Sequence, residues 1–201
     1  MKKNPKGVFC LEGDWWNDLR QPSTVEPILQ LLEVALGFAV PYVHRNVDTE
    51  PALKYYLSKW TQKKYKNYPI LYMAFHGDKG KLFIGDGRRP ENCITLDWLA
   101  SRLEGKCAGK IILLGSCDTL NIHGKRLNTF LKRTHALAIC GYSTSVNWLT
   151  STAFELLAFG EMQTNKKLTL ASANAIKSRI KKRLGSMAKA LKFRMVVRKS
   201  I

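Results

Sequence analysis

The sequence predicts an α/β protein: a three-layer sandwich around a mostly parallel, doubly wound sheet of about six strands, with helices on both faces. Three observations predict it. Strand-like and helix-like periods alternate along the chain. Residues 68–77 (YPILYMAFHG), 110–117 (KIILLGSC) and 136–143 (ALAICGYS) are nearly continuous apolar runs, as in strands buried on both sheet faces. The chain of 201 residues is 45% apolar and free of repeats, which suits one domain spanning 1–201 and leaves no room for two large ones.

Taken in order, residues 8–13 form a short strand closed by Gly13, followed by a loop through Asp14, Trp15, Trp16, Arg20 and Pro22. Ser23 or Thr24, with Glu26, opens a helix whose apolar positions Ile28, Leu31, Leu32, Ala35 and Leu36 keep the helical period until Gly37. Residues 39–47 read as a second strand. Residues 50–65 read as a helix with Leu53, Tyr56, Leu57 and Trp60 on one face. After the first apolar run, 81–87 is a hairpin arm, with a turn at 85–90, and 96–103 a helix capped by Thr95. The second run is followed by a helix over 124–132, the third by a helix over 148–159. Ile176, Ile180, Leu184, Met187 and Leu191 step by three and four, which marks a basic amphipathic helix before a last strand at 193–197.

Composition narrows the function classes. No apolar run approaches the ~18 residues of a membrane span, and the opening MKKNPKG is no signal-peptide core, so a cytoplasmic protein without a transmembrane segment is expected. Five cysteines, odd in number and without CxxC spacing, argue against a disulfide scaffold and a zinc knuckle. GxGxxG, HExxH and GxSxG are absent, and 85–90 (GDGRRP) lacks phosphate-loop spacing, so no cofactor and no metal is expected. The net charge of +18 concentrates in residues 162–201, which hold twelve Lys or Arg and no Asp or Glu. This basic C-terminal region suits an anionic partner such as nucleic acid, an acidic protein face or anionic lipid.

Chemistry in open parallel sheets collects beyond the carboxyl ends of the strands. Two central strands end in reactive residues there: His76 followed by Gly77, and Cys117 preceded by Gly115 and Ser116. If those strands are neighbours, the imidazole can activate the thiol as a nucleophile. Gly77 lets a substrate carbonyl approach the backbone, and the Gly77 and Cys117 amides can hold the developing oxyanion.

Strand-His-Gly, a hairpin and helix, then strand-small-Cys 41 positions on resembles the caspase-like cysteine peptidases of clan CD, nearest their bacterial CHAT-like branch. The resemblance implies a caspase-like fold, peptide-bond hydrolysis in protein or peptide substrates through a thioester, His76 as general base and acid, Cys117 as nucleophile, and a regulatory protein or cleavage as activator. Two family features are absent: Gly115-Ser116 replaces the Gln-Ala of caspases, and the Asp that metacaspases carry two residues before the nucleophile is missing.

For substrate binding, Arg20 and Arg45 suit an acidic side chain, Glu12, Asp14 and Asp118 a basic one, while Trp15, Trp16 and the segment from Tyr142 to Trp148 suit an apolar pocket. Cys10, Cys93, Cys107 and Cys140 are expected to pack, and His44, His123 and His135 to stay out of catalysis. The alternative to an endopeptidase is a noncatalytic module of the same fold acting through its basic surface.

Overall fold

The computed structural model describes residues 5–16, 18, 20–21, 23–34, 39–85 and 90–199. The expected helical positions Ala35 and Leu36, the stop at Gly37, Pro22 and most of the 85–90 turn lie outside them.

The elements follow the expected alternation: β1 (Val8–Glu12), α1 (Glu26–Val34), β2 (Tyr42–Asn46), α2 (Glu50–Trp60), β3 (Ile70–Ala74), β4 (His76–Asp78), β5 (Lys81–Phe83), β6 (Cys93–Thr95), α3 (Leu96–Arg102), β7 (Ile111–Leu114), α4 (Gly124–Thr134), β8 (Ala138–Tyr142), α5 (Trp148–Gln163), α6 (Leu170–Arg183), α7 (Gly185–Ala190) and β9 (Phe193–Val197). Six strands form one sheet in the order β2-β1-β3-β7-β8-β9, all parallel except β9, which runs antiparallel to β8. A small antiparallel sheet β4-β5-β6 rides at the end of β3.

Alternation along each strand feeds two cores. Val8, Cys10, Ile70, Tyr72, Ile111, Leu113 and Cys140 face the layer of α1, α5, α6 and α7. Phe9, Leu11, Leu71, Met73, Ile112, Leu114 and Ile139 face α2, α3 and α4. The result is a three-layer α/β sandwich.

Several boundaries differ from expectation for local reasons. The 50–65 helix ends at Trp60, because Gln62 turns extended, and continues only as a short 3₁₀ turn at Lys63–Tyr65. The 39–47 strand narrows to Tyr42–Asn46, and the first apolar run ends its pairing at Ala74, with His76 opening the hairpin sheet. α5 runs on to Gln163, whose amide clamps Lys6 through the hydrogen bonds Lys6 N to Gln163 Oε1 (2.8 Å) and Gln163 Nε2 to Lys6 O (3.1 Å). The single C-terminal helix is two: α6 closes at Leu184, which also heads α7. The stripe still docks as a unit, with Ile176, Ile180 and Leu191 buried and Leu184 and Met187 packed against them, while Lys177, Lys181, Lys182 and Lys189 face solvent. Among the described residues no helix is long and apolar enough to cross a membrane.

Candidate active site

β3 and β7 are parallel neighbours in which Met73 pairs with Leu114, so His76 and Cys117 each stand three residues past matched positions. Both line one pocket of about 130 Å³, with Trp15, Trp16, Phe75, Gly115, Val146, Trp148 and Ser151. The two strand tips therefore meet, at the carboxyl end of the sheet.

Gly77 makes this closeness possible. A Cβ on it would stand 2.2 Å from Thr119 Oγ1, 2.8 Å from the Cys117 carbonyl oxygen and 2.9 Å from Ser116 Cβ. Any side chain would push the hairpin off the turn that carries Cys117. That turn is itself pinned. Ser116 Oγ and Thr119 Oγ1 share a 2.7 Å hydrogen bond, Asp118 N donates to Thr144 O (3.0 Å), and Arg194 from β9 donates to the carbonyls of Leu120 and Ile122. Gly115 gives a second close approach, its absent Cβ falling 2.6 Å from the Tyr72 ring and 3.0 Å from Glu155 Oε1.

The imidazole is oriented by backbone. His76 Nε2 lies 2.8 Å from Trp15 O, and the ring meets the Trp15 indole edge-on at 5.3 Å. A carbonyl only accepts, so Nε2 carries the proton and Nδ1 keeps the lone pair. The Trp15 loop is held in turn by Glu12 at the end of β1. Its buried carboxylate accepts from Trp15 Nε1 (2.6 Å), Thr24 Oγ1 (2.6 Å) and Val25 N (2.8 Å), and pairs with His44 Nε2 (2.6 Å). Burial pushes this carboxyl up, but the hydrogen bonds outweigh it and hold Glu12 below the usual range.

Among the described residues the hydrogen bonds of Cys117 Sγ go to one partner: it accepts from Val146 N at 3.4 Å and donates to Val146 O at 3.8 Å. Its own N–H has no acceptor among the described residues, which leaves it free to bind an incoming oxygen. Of the other thiols, Cys10, Cys107 and Cys140 are buried, and burial pushes Cys107 up to about 12 and the other two well up. Cys93, in β6, is partly exposed like Cys117.

The expected substrate-binding residues divide. Trp15, Trp16 and Trp148 line the pocket. Tyr142 does not: it is an inward-facing position of β8, fully buried, and its hydroxyl donates to Glu155 Oε1 (2.9 Å). Arg20 is 90% exposed and forms a fork with Asp18, and Arg45 is exposed with its guanidinium on the His44 carbonyl. Asp14 is exposed beside Asp48, whose carboxyl is raised by burial and then by the Asp14 charge. Asp118 follows Cys117 in a left-handed conformation (φ 54°) and accepts from Asn121 and Ser145. None of these four charged residues lines the pocket.

The remaining histidines have structural work. His44 pairs with Glu12, His123 caps α4 by accepting from Lys125 N (3.2 Å), and His135 ends α4 in the left-handed region (φ 63°).

Sequence reasoning did not identify the Trp15 carbonyl, the Val146 backbone, Ser151 or Glu155. Glu155 carried the one visible signal, a lone acid within the apolar stretch FELLAF of α5. It is fully buried under Gly115, accepts from Tyr72 Oη (2.5 Å) and Tyr142 Oη, and is raised by burial to about 7 despite those two bonds.

Among the described residues, no three His, Cys, Asp or Glu side chains are grouped to hold a metal ion. Comparison with curated proteins finds none that matches the chain. The chain belongs to a family of unknown function, DUF6642, whose model it matches over residues 5–197.

Proposed function

We propose that this protein is a cysteine endopeptidase of the caspase-like type, with His76 and Cys117 as its dyad. The observation that carries the reading is the convergence of both side chains on one pocket at the tips of neighbouring parallel strands. Thiol and imidazole on adjacent strand ends is the arrangement nucleophilic acyl transfer needs.

Each step has an atom to perform it. The Cys117 Sγ proton passes to His76 Nδ1, the nitrogen left unprotonated by the Nε2–H bond to Trp15 O. The thiolate attacks the substrate carbonyl carbon, and the negative charge gathering on its oxygen is met by the Cys117 and Gly77 N–H groups. The imidazolium then gives its proton to the leaving nitrogen as the C–N bond breaks, leaving a thioester. Water, deprotonated by the same imidazole, attacks the thioester, releases a carboxylic acid and restores the thiol.

The test is peptide profiling of a protein digest mixture by wild type beside Cys117→Ala. New termini made by wild type alone support the reading, and identical profiles, with candidate activating proteins present, overturn it.

A second reading draws on the exposed Lys177, Lys181, Lys182 and Lys189, which suit an anion-binding module. It predicts binding to polyanions that falls steeply with salt and is indifferent to Cys117→Ala.

A further inference from the structure

We propose that the pocket beside Cys117 takes an apolar, leucine- or phenylalanine-sized side chain of the residue whose carbonyl is attacked. This rests on the peptidase reading and adds the substrate class to it.

Most of the lining is carbon. Trp15, Trp16, Phe75, Val146 and Trp148 supply four aromatic side chains and an isopropyl group, and Gly115 leaves the inner wall bare up to the Tyr72 ring. Three of the polar side-chain atoms on these walls are already committed. Trp15 Nε1 donates to Glu12, Trp16 Nε1 to Ser23 (2.7 Å), and Ser151 Oγ to Trp148 O (3.0 Å).

The charges around the pocket are accounted for as well. Glu12 is closed by Trp15, Thr24, Val25 and His44, and Glu155 by Tyr72 and Tyr142, so neither carboxylate is offered to a cation. Arg20 and Arg45, the cations expected to meet an acid, point to solvent away from the lining. An acidic or basic side chain entering here would give up its hydration and gain no counter-charge in return. An apolar side chain gains by the same transfer.

Size follows from volume. About 130 Å³ is close to the roughly 150 Å³ apolar cavity that accommodates benzene, so one benzyl or isobutyl group fills it. Trp16 at 53% and Trp148 at 40% exposure stand at the rim, large aromatic surface that such a substrate would cover.

The experiment uses four peptidyl chloromethyl ketones identical except for a terminal Leu, Phe, Asp or Lys residue, with iodoacetamide as a small reference. Each alkylates when Sγ displaces the halide, forming one C–S bond, and adducts at Cys117 are located by peptide mapping. Rates are expressed relative to iodoacetamide on the same protein. The Leu and Phe reagents should modify Cys117 at least roughly tenfold faster than the Asp and Lys reagents, and Trp148→Ala should shrink that ratio. Faster modification by the Asp or Lys reagent, or equal rates for all four while iodoacetamide still selects Cys117 in a His76-dependent way, overturns the apolar pocket and leaves the peptidase reading standing. Failure of iodoacetamide to favour Cys117, with no ketone adduct there, overturns both.

Discussion

His76 and Cys117 are encoded differently from the groups that orient them. Both were legible in the sequence, because a reactive residue at the end of an apolar run marks a strand tip. The groups that orient them were not, because the Trp15 carbonyl and the Val146 amide are backbone and carry no letter of their own. The charged candidates lie off the pocket lining for a related reason. Arg20, Arg45, Asp14 and Asp118 follow strand outlets, but which way a side chain points depends on partners such as Asp18 and the His44 carbonyl. Reactivity can be tested residue by residue. At mildly acidic pH, iodoacetamide should modify Cys117 first, with Cys93 as the accessible competitor and the three buried thiols silent. His76→Ala should cost about 10²- to 10⁴-fold in peptide hydrolysis, the usual contribution of a positioned base. Labelling divided evenly between Cys93 and Cys117, unchanged by His76→Ala, would count against the dyad. Gly77→Ala should be as damaging as a change to the dyad, since its methyl would fall 2.8 Å from the Cys117 carbonyl. Full activity in that variant would show that the hairpin and the nucleophile turn need not touch.

At the scale of elements, the centre of the sheet was readable because β1, β3, β7 and β8 are buried on both faces and so appear as unbroken apolar runs. The C-terminal stripe was readable as amphipathic, yet its break at Leu184 was not, since the three-four stepping of apolar residues continues through the junction of α6 and α7 and hides it. The continuation of α5 past Phe159 was also hidden, since it depends on Gln163 meeting Lys6 from the far end of the chain. Docking of α6 has an energetic signature. Ile176→Ala, at a fully buried position, should destabilise the protein by about 2–5 kcal/mol, measured by urea unfolding. Lys181→Glu and Lys182→Glu, on the exposed face, should each change stability by no more than about 0.5 kcal/mol. A similar cost for both classes of change would mean that the stripe is not the buried face.

For the whole molecule, the buried Glu155 ties stability to pH. Its folded-state pKa of about 7, raised first of all by burial, lies above the ordinary 4.5, so between those values the folded chain holds a proton that the unfolded chain has lost. Its contribution is complete below pH ~4.5 and disappears as pH rises through 7, a change of about 3 kcal/mol. Glu12 has the opposite sign, its lowered pKa lending stability that is lost only as pH falls below the ordinary carboxyl range, so it adds nothing to a decline across pH 5–8. Glu155→Gln should flatten the decline in melting temperature across pH 5–8, and parallel curves for variant and wild type would remove Glu155 as its source.

The grip of Arg194 on Leu120 and Ile122 has a further consequence in time. The turn behind Cys117 gains that support from a side chain 74 residues later in the chain. At synthesis rates of about 5–20 residues per second, roughly 4–15 s separate the emergence of the turn from that of its clasp. A ribosome-bound chain therefore exposes its thiol before the turn that carries it is secured, and that turn takes its last support only once the chain has been made at least as far as β9.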